Sequence, residues 1–163
     1  MDHDVPADQQ VSLPDQLAEM VALRDEGKIA GVGISTASLE QVQQAIELAQ
    51  IVCVQNAFSL VDTSDRAVLD LCRDQGIAYV PYFPLGSAFP NTPKVTDQPA
   101  VLAVAQRLHV TPAQVGLAWL LAQAENVLLI PGTSRVSHLE QNMAVADVHL
   151  SADDLAELSS PTG

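Results

Sequence analysis

A glycine turn followed by hydroxyl and basic side chains is where this chain could hold an anion. The residues are Gly132, Thr133, Ser134, Arg135 and His138, in IPGTSRVSHLEQN. Residues 127–130, VLLI, read as a short buried strand before the turn, and the polar run after it opens a helix. The glycine lets backbone approach a ligand, and the first N–H groups of a helix have no partner inside it. Thr133 and Ser134 add hydroxyl donors, and Arg135 and His138 add positive or protonatable groups. Strand, turn and capped helix also make any plain βα connection, and both readings stand on these residues alone.

Other groups of interest fall just after predicted strands. Gln55 ends one of them, and its side chain offers both a donor and an acceptor. It reads equally as a strand-end group bonding a neighbouring loop. Tyr82 follows another strand, in PYFPLGS. Its ring suits stacking on a flat ligand or packing in a core.

These side chains need a scaffold, and the apolar spacing supplies one. A helix is expected over 15–26, ending at Gly27, after a leading loop over 1–14. IAGVGI, 29–34, reads as a strand buried on both faces. Ser38 caps a helix through 50, with Glu40 and Gln41 near the third position of a capping box. IVCV, 51–54, is the next strand. Thr63 or Ser64 caps a helix over 65–75, Gly76 ends it, and 77–80 is a third strand. A long loop over 81–97 carries several prolines. Helices follow over 99–108 and 112–123, the second capped by Thr111 with Pro112 at its first position. The strand at 127–130 leads to a helix over 136–146, and Ser151 caps a last one over 152–158. Strands alternating with helices pair in parallel through right-handed crossovers. An open doubly wound sheet and a (β/α)8 barrel both use this unit. GVGIST lacks the spacing of a dinucleotide-binding glycine motif.

Composition narrows the partners. The 163 residues suffice for one domain with a real core, and 48% are hydrophobic. The net charge of −13, from 20 acidic and 7 basic residues, argues against nucleic acid and against an anionic membrane surface. Cys53 and Cys72 form no CxxC or disulfide framework, so a reducing cytoplasm is expected. No apolar run approaches membrane length, and MDHDVPADQQ has neither the basic nor the apolar region of a signal peptide.

Five motifs in order, GKIAGVGIST, VCVQNAFSL, LDLCRDQGIAYVPYFPLGS, TPAQVGLAWLL and IPGTSRVSHLEQN, resemble the second half of an aldo-keto reductase. The resemblance runs over about 15–158. It implies a partial (β/α)8 TIM barrel: a half barrel of four parallel strands with flanking helices, corresponding to barrel strands five to eight. The whole of 1–163 then reads as a single domain. A complete barrel typically has about 250 residues, and the expected missing part is the N-terminal half.

By this resemblance the chain carries the pocket for a nicotinamide cofactor. Ser35 and Gln55 would bond the nicotinamide carboxamide. Thr36 stands where the family has an asparagine, and a hydroxyl cannot copy an amide's paired geometry. Tyr82 would stack on the nicotinamide ring. Phe83, Pro84, Leu85 and Ser87 would meet the pyrophosphate, with Phe89 and Asn91 in a strap beyond them. Gly132, Thr133 and Ser134 would lie near the adenosine 2′-phosphate and ribose. His138 would lie near the adenine or that phosphate, with Gln141 and Asn142 on the adenine edge. Relatives carry lysine or arginine at positions here filled by Gly132 or His138; Arg135 could replace that charge, since guanidinium binds phosphate bidentately. NADP is therefore favoured over NAD.

The family's proton donor is a tyrosine assisted by lysine, aspartate and histidine, all in the half not represented. Tyr79, Tyr82, Lys28 and Lys94 form no acid–base pair to replace them, and no catalytic residue is assigned. The expected function is NADP-dependent carbonyl reduction by hydride transfer, carried by a fragment with the cofactor pocket. A non-catalytic NADPH-binding or regulatory module and an inactive remnant are the alternatives. A small carbonyl substrate is expected only with the missing half supplied. Four strands alone leave two open edges, so self-association or a complementing half-barrel is expected.

Overall fold

The computed structural model describes residues 11–86 and 92–160. Its centre is a parallel three-stranded sheet in the order β1 (Val32–Ser35), β2 (Ile51–Gln55), β3 (Ala78–Tyr79). The strands alternate with helices α1 (Leu13–Asp25), α2 (Leu39–Leu48) and α3 (Arg66–Asp74). After β3 come α4 (Pro99–Leu108), α5 (Pro112–Leu121), α6 (Val136–Met143) and α7 (Ala152–Ser159).

Side chains alternate across the sheet, and the two faces differ sharply. Ile34, Val54 and Tyr79 pair in register, Val127 bridges to Tyr79, and all four are buried. This row packs with Val42, Ala45, Leu69, Cys72, Leu117 and Leu120 of the helices into one apolar core. The alternate row is Gly33, Cys53 and Ala78, followed by the pair Ser35 and Gln55. It is small and polar, and no residue of it is buried. A Cβ on Gly33 would stand 2.5 Å from Cys53 Sγ and 3.0 Å from Cys53 O, so only glycine fits there. The first strand is thus covered on one face, not both as IAGVGI suggested. A register shift between Val32 and Gly33 also leaves Val52 exposed.

The fourth expected strand forms only in part. Leu128 N–H donates to Tyr79 O and Tyr79 N–H donates to Asn126 O, both at 2.9 Å, giving one parallel bridge at Val127. Among the described residues the sheet therefore has three strands rather than four. Val127 has one neighbour, the two-residue β3, and Pro131 follows too soon for a longer ladder.

Helix ends follow local chemistry. α2, α5 and α7 carry full capping boxes, Ser38–Gln41, Thr111–Gln114 and Ser151–Asp154. α1 starts at Leu13 rather than after 14, because Ser12 caps it and Pro14 fits the first turn. α3 departs from expectation more. Neither Thr63 nor Ser64 caps it; Asp65 holds the cap position but makes no cap bond. Its carboxylate accepts from the Tyr79 phenol at 2.6 Å instead. His109 ends α4 in the left-handed conformation (φ 56°), which makes the tight turn into α5. Arg107 of α4 donates to Asp154 and Glu157 and ties α7 to the body.

Candidate functional site

The polar residues after the strands converge at the sheet's C-terminal end. Ser35 and Gln55 sit opposite each other, and Thr36 N–H donates to Gln55 O at 2.9 Å. Ser35 Oγ lies 3.3 Å from Thr36 Oγ1, which lies 3.4 Å from the Tyr82 phenol oxygen. A chain of hydroxyls therefore crosses from β1 to Tyr82. Thr36 takes φ 54°, a left-handed conformation that turns its hydroxyl toward that ring.

Asn56 fixes these loops. Its Oδ1 accepts from Ala37 N–H at 3.1 Å and its Nδ2 donates to Ala37 O at 2.8 Å. The side chain is buried, so it acts as an extra rung between the turns after β1 and β2. Asn56 O also accepts from Tyr82 N–H at 2.9 Å, which places the tyrosine.

A cleft of about 630 Å³ opens beside Tyr82, within the range of small-molecule sites. Tyr82, Phe83, Pro84 and Leu85 line one side. Gly132, Thr133, His138, Gln141 and Asn142 line the other, with Pro112 at the start of α5 between them. The Tyr82 and Phe83 rings meet edge to face, centroids 5.1 Å apart. Phe83 has φ 53°, a strained backbone for a bulky residue, and Gly86 at φ 91° completes the turn. Gly86 passes so near Pro93 O that a Cβ would stand 2.5 Å away.

Not every anticipated residue lines this cleft. Ser35 and Gln55 reach it only through Thr36 and Tyr82. Ser134 and Arg135 are exposed at the start of α6, outside the lining. Arg135 N–H donates to Thr133 Oγ1 at 3.1 Å, and no side chain caps α6. Its first-turn N–H groups thus remain open to an anion. Ser87, Phe89 and Asn91 lie outside the described residues.

Gln114 carries no mark in the sequence of a place here. It closes the capping box with Thr111, and its Nε2 also donates to Gln141 O at 3.0 Å. That bond joins α5 to α6 behind the cleft. Asn56 was likewise hidden, since one asparagine after a strand carries no mark of the loop it will bridge.

Proton chemistry is not offered at this end of the sheet by Tyr79. It is fully buried on the helix face, and burial together with its bond to Asp65 raises its pKa far above the ordinary phenol value. Burial in turn raises Asp65. Lys28 is exposed and paired with Glu26 at 2.6 Å.

Parallel strands backed by helices, with polar residues and a cleft after their C-terminal ends, are the arrangement of a (β/α)-barrel segment, at the end where such barrels place their ligand loops. The chain belongs to the aldo/keto reductase family, whose sequence profile matches residues 2–161. It is 41% identical over 147 residues to pyridoxine 4-dehydrogenase of Escherichia coli (strain K12), covering 90% of this chain and 50% of that protein. It is 32% identical over 177 residues to a probable aldo-keto reductase 1 of Glycine max, covering 93% of this chain and 51% of that protein. Among solved structures it resembles a thermostable aldo-keto reductase in complex with the inhibitor epalrestat: TM-score 0.82, 28% identity, 93% of this chain and 55% of that one. It also resembles an aldo/keto reductase from Klebsiella pneumoniae in complex with NADP and acetate: TM-score 0.80, 26% identity, 91% of this chain and 54% of that one. The fold is thus that of an aldo-keto reductase barrel in part, and the chain spans about half the length of the curated relatives it matches.

Proposed function

We infer that this chain forms the cofactor-holding side of an NADP-dependent aldo-keto reductase that reduces carbonyls by hydride transfer, with the proton donor supplied by another half-barrel. The observation that carries this reading is the single cleft lined by both 82–85 and the segment after Pro131. An extended dinucleotide needs both segments on one groove. The residues present suit it: a half-buried aromatic ring, an open backbone turn, and a helix start without a side-chain cap.

Tyr82 would hold the flat nicotinamide, while Ser35 and Gln55 orient its carboxamide from the sheet. Phe83, Pro84 and Leu85 would follow the pyrophosphate, as would Ser87. Gly132, Thr133, Ser134 and Arg135 would meet the 2′-phosphate, and His138, Gln141 and Asn142 the adenosine. The bound cofactor would supply the hydride. Arg135 favours NADP over NAD, because its exposed guanidinium lies one residue before the uncapped α6.

Closure supports the second part of the reading. Leu128, Ile130, Val136 and Met143 stand exposed around and beyond the single bridge at Val127. A barrel's next strand–helix unit would cover them. The complementing partner would then bring the acid–base groups and the substrate loops. A reducing cytoplasm suits the two free thiols.

The alternative is a non-catalytic NADPH-binding module. It is favoured by Tyr79 facing the helices, away from the cleft. Titration of NADPH fluorescence against the isolated chain tests the shared claim; NADPH should bind more tightly than NADH, and Tyr82→Ala should weaken it. No response to NADPH would end both readings. Mixing with an N-terminal half from a relative, with pyridoxal as a first aldehyde probe, separates them: turnover supports the reductase.

A further inference from the structure

A second cavity, of about 610 Å³, lies on the helix side and shares no lining residue with the cofactor cleft. It is bounded by the loop after β2, the starts of α3 and α4, and the ends of α5 and α7. Its wall is apolar at Leu60, Val61, Pro93 and Leu158. Among the described residues its only charged lining residue is Arg66, in a chain whose net charge is −13.

Arg66 is unusual in this molecule. It is half-buried, and among the described residues no carboxylate pairs with it. Its Nη2 donates to Gln123 Oε1, and its guanidinium lies 5.1 Å over the Phe58 ring. Phe58 in turn stacks on Trp119, centroids 6.0 Å apart. Gln123 is itself held, since its Nε2 donates to Trp119 O. The guanidinium is thus clamped in position with donors to spare.

Trp119 completes the wall. It lines the same cavity and is 3% exposed. Through its stack on Phe58 it sits beneath the ring that carries the Arg66 guanidinium, so a ligand on Arg66 would alter its surroundings.

We propose that this cavity is a binding site for a small carboxylate with an apolar body, its carboxylate on Arg66 and its chain along Leu60, Val61, Pro93 and Leu158. Guanidinium and carboxylate match in a two-bond fork, and no described lining residue is acidic to compete for it. The site lies apart from the nicotinamide cleft, so a ligand there would act on the helix layer and not displace cofactor.

Trp119 is the chain's only tryptophan, so its emission and its one indole N–H resonance report on this cavity alone. Hexanoate is the probe and hexanol its uncharged counterpart. Hexanoate should saturably shift the indole resonance and quench or shift Trp119 emission; hexanol should do so far more weakly. Arg66→Gln should weaken hexanoate by about tenfold or more while NADPH titration is unchanged. If Arg66→Gln does not fold, the hexanoate–hexanol contrast in the unaltered chain decides. An unmoved indole resonance, an equal response to hexanol, or undiminished binding by Arg66→Gln would overturn the site.

Discussion

Gln114 Nε2 donates to the backbone carbonyl of Gln141 at 3.0 Å, across the gap between α5 and α6. The same side chain accepts from Thr111 N–H at 3.0 Å through Oε1. One buried amide thereby starts a helix and tethers the wall of the cleft.

Gln114→Glu separates those two duties. It keeps the acceptor for the Thr111 cap and removes the donor to Gln141, setting a carboxylate against a carbonyl. A lost hydrogen bond of this kind is worth about 1 kcal/mol, and more when the partner is left facing a charge. Amide exchange in α6 should quicken, and NADPH affinity should fall by about tenfold. Hydrogen exchange and fluorescence titration check both; affinity unchanged with α6 loosened would detach that helix from the nucleotide.

Gly33→Ala should destabilise the sheet. Its Cβ would stand 2.5 Å from Cys53 Sγ and 3.0 Å from the Cys53 carbonyl. Overpacking of this order destabilises by about 1–3 kcal/mol. Cys53→Ala in the same chain should recover part of the loss, since the sulfur clash goes and the backbone one stays. Urea midpoints of the two variants measure it.

Acid should loosen α7, which neutral pH holds in place. Asp154 is buried, and its bonds from Ser151 and from Arg107 hold its carboxyl down to about 2. Its folded pKa lies below the unfolded value, so this stabilisation is complete above the ordinary carboxylate range. It is lost as pH falls from about 4 toward 2. Asp154→Asn should be less stable at neutral pH and should flatten that acid limb. Urea unfolding at a series of pH values decides it.

The two thiols should react very differently. Cys72 is buried in the core, and burial pushes its thiol up to about 12. Cys53 is half-buried, on the small polar row of the sheet. Maleimide at pH 8 should label Cys53 and spare Cys72 in the folded chain. A complementing half-barrel that closes over this row should protect Cys53, which mass spectrometry reads directly. Persistent labelling in the mixture would speak against closure.

Helices with strong local signals were readable from the chain alone. Pro99–Leu108 falls where its spacing put it, and Ser38, Thr111 and Ser151 cap as their positions suggested. These signals are local, set by residues within one turn. The misreadings need distant partners. Asp65 leaves its cap because a tyrosine fourteen residues on donates to it. The run 127–130 looks as strand-like as 51–54, yet ladder length depends on the neighbour, and β3 is only two residues long. At the cleft, Tyr82 and His138 were visible as chemical types, but Gln114 and Asn56 act through bonds to backbone far along the sequence. Backbone acceptors look alike in every residue, so nothing in the chain announces which one a side chain will choose.

None of the side chains of α6 is buried, and Val136 and Met143 are 73% and 72% exposed. Such a helix contributes little to the cooperative unit that melts with the core. Its sequence is then free to drift without endangering the fold. On the proposed reading of the cleft, substitutions at its polar positions, such as His138 and Gln141, should appear in nucleotide preference and residence time while the melting midpoint stays still, so cofactor choice could evolve here separately from stability.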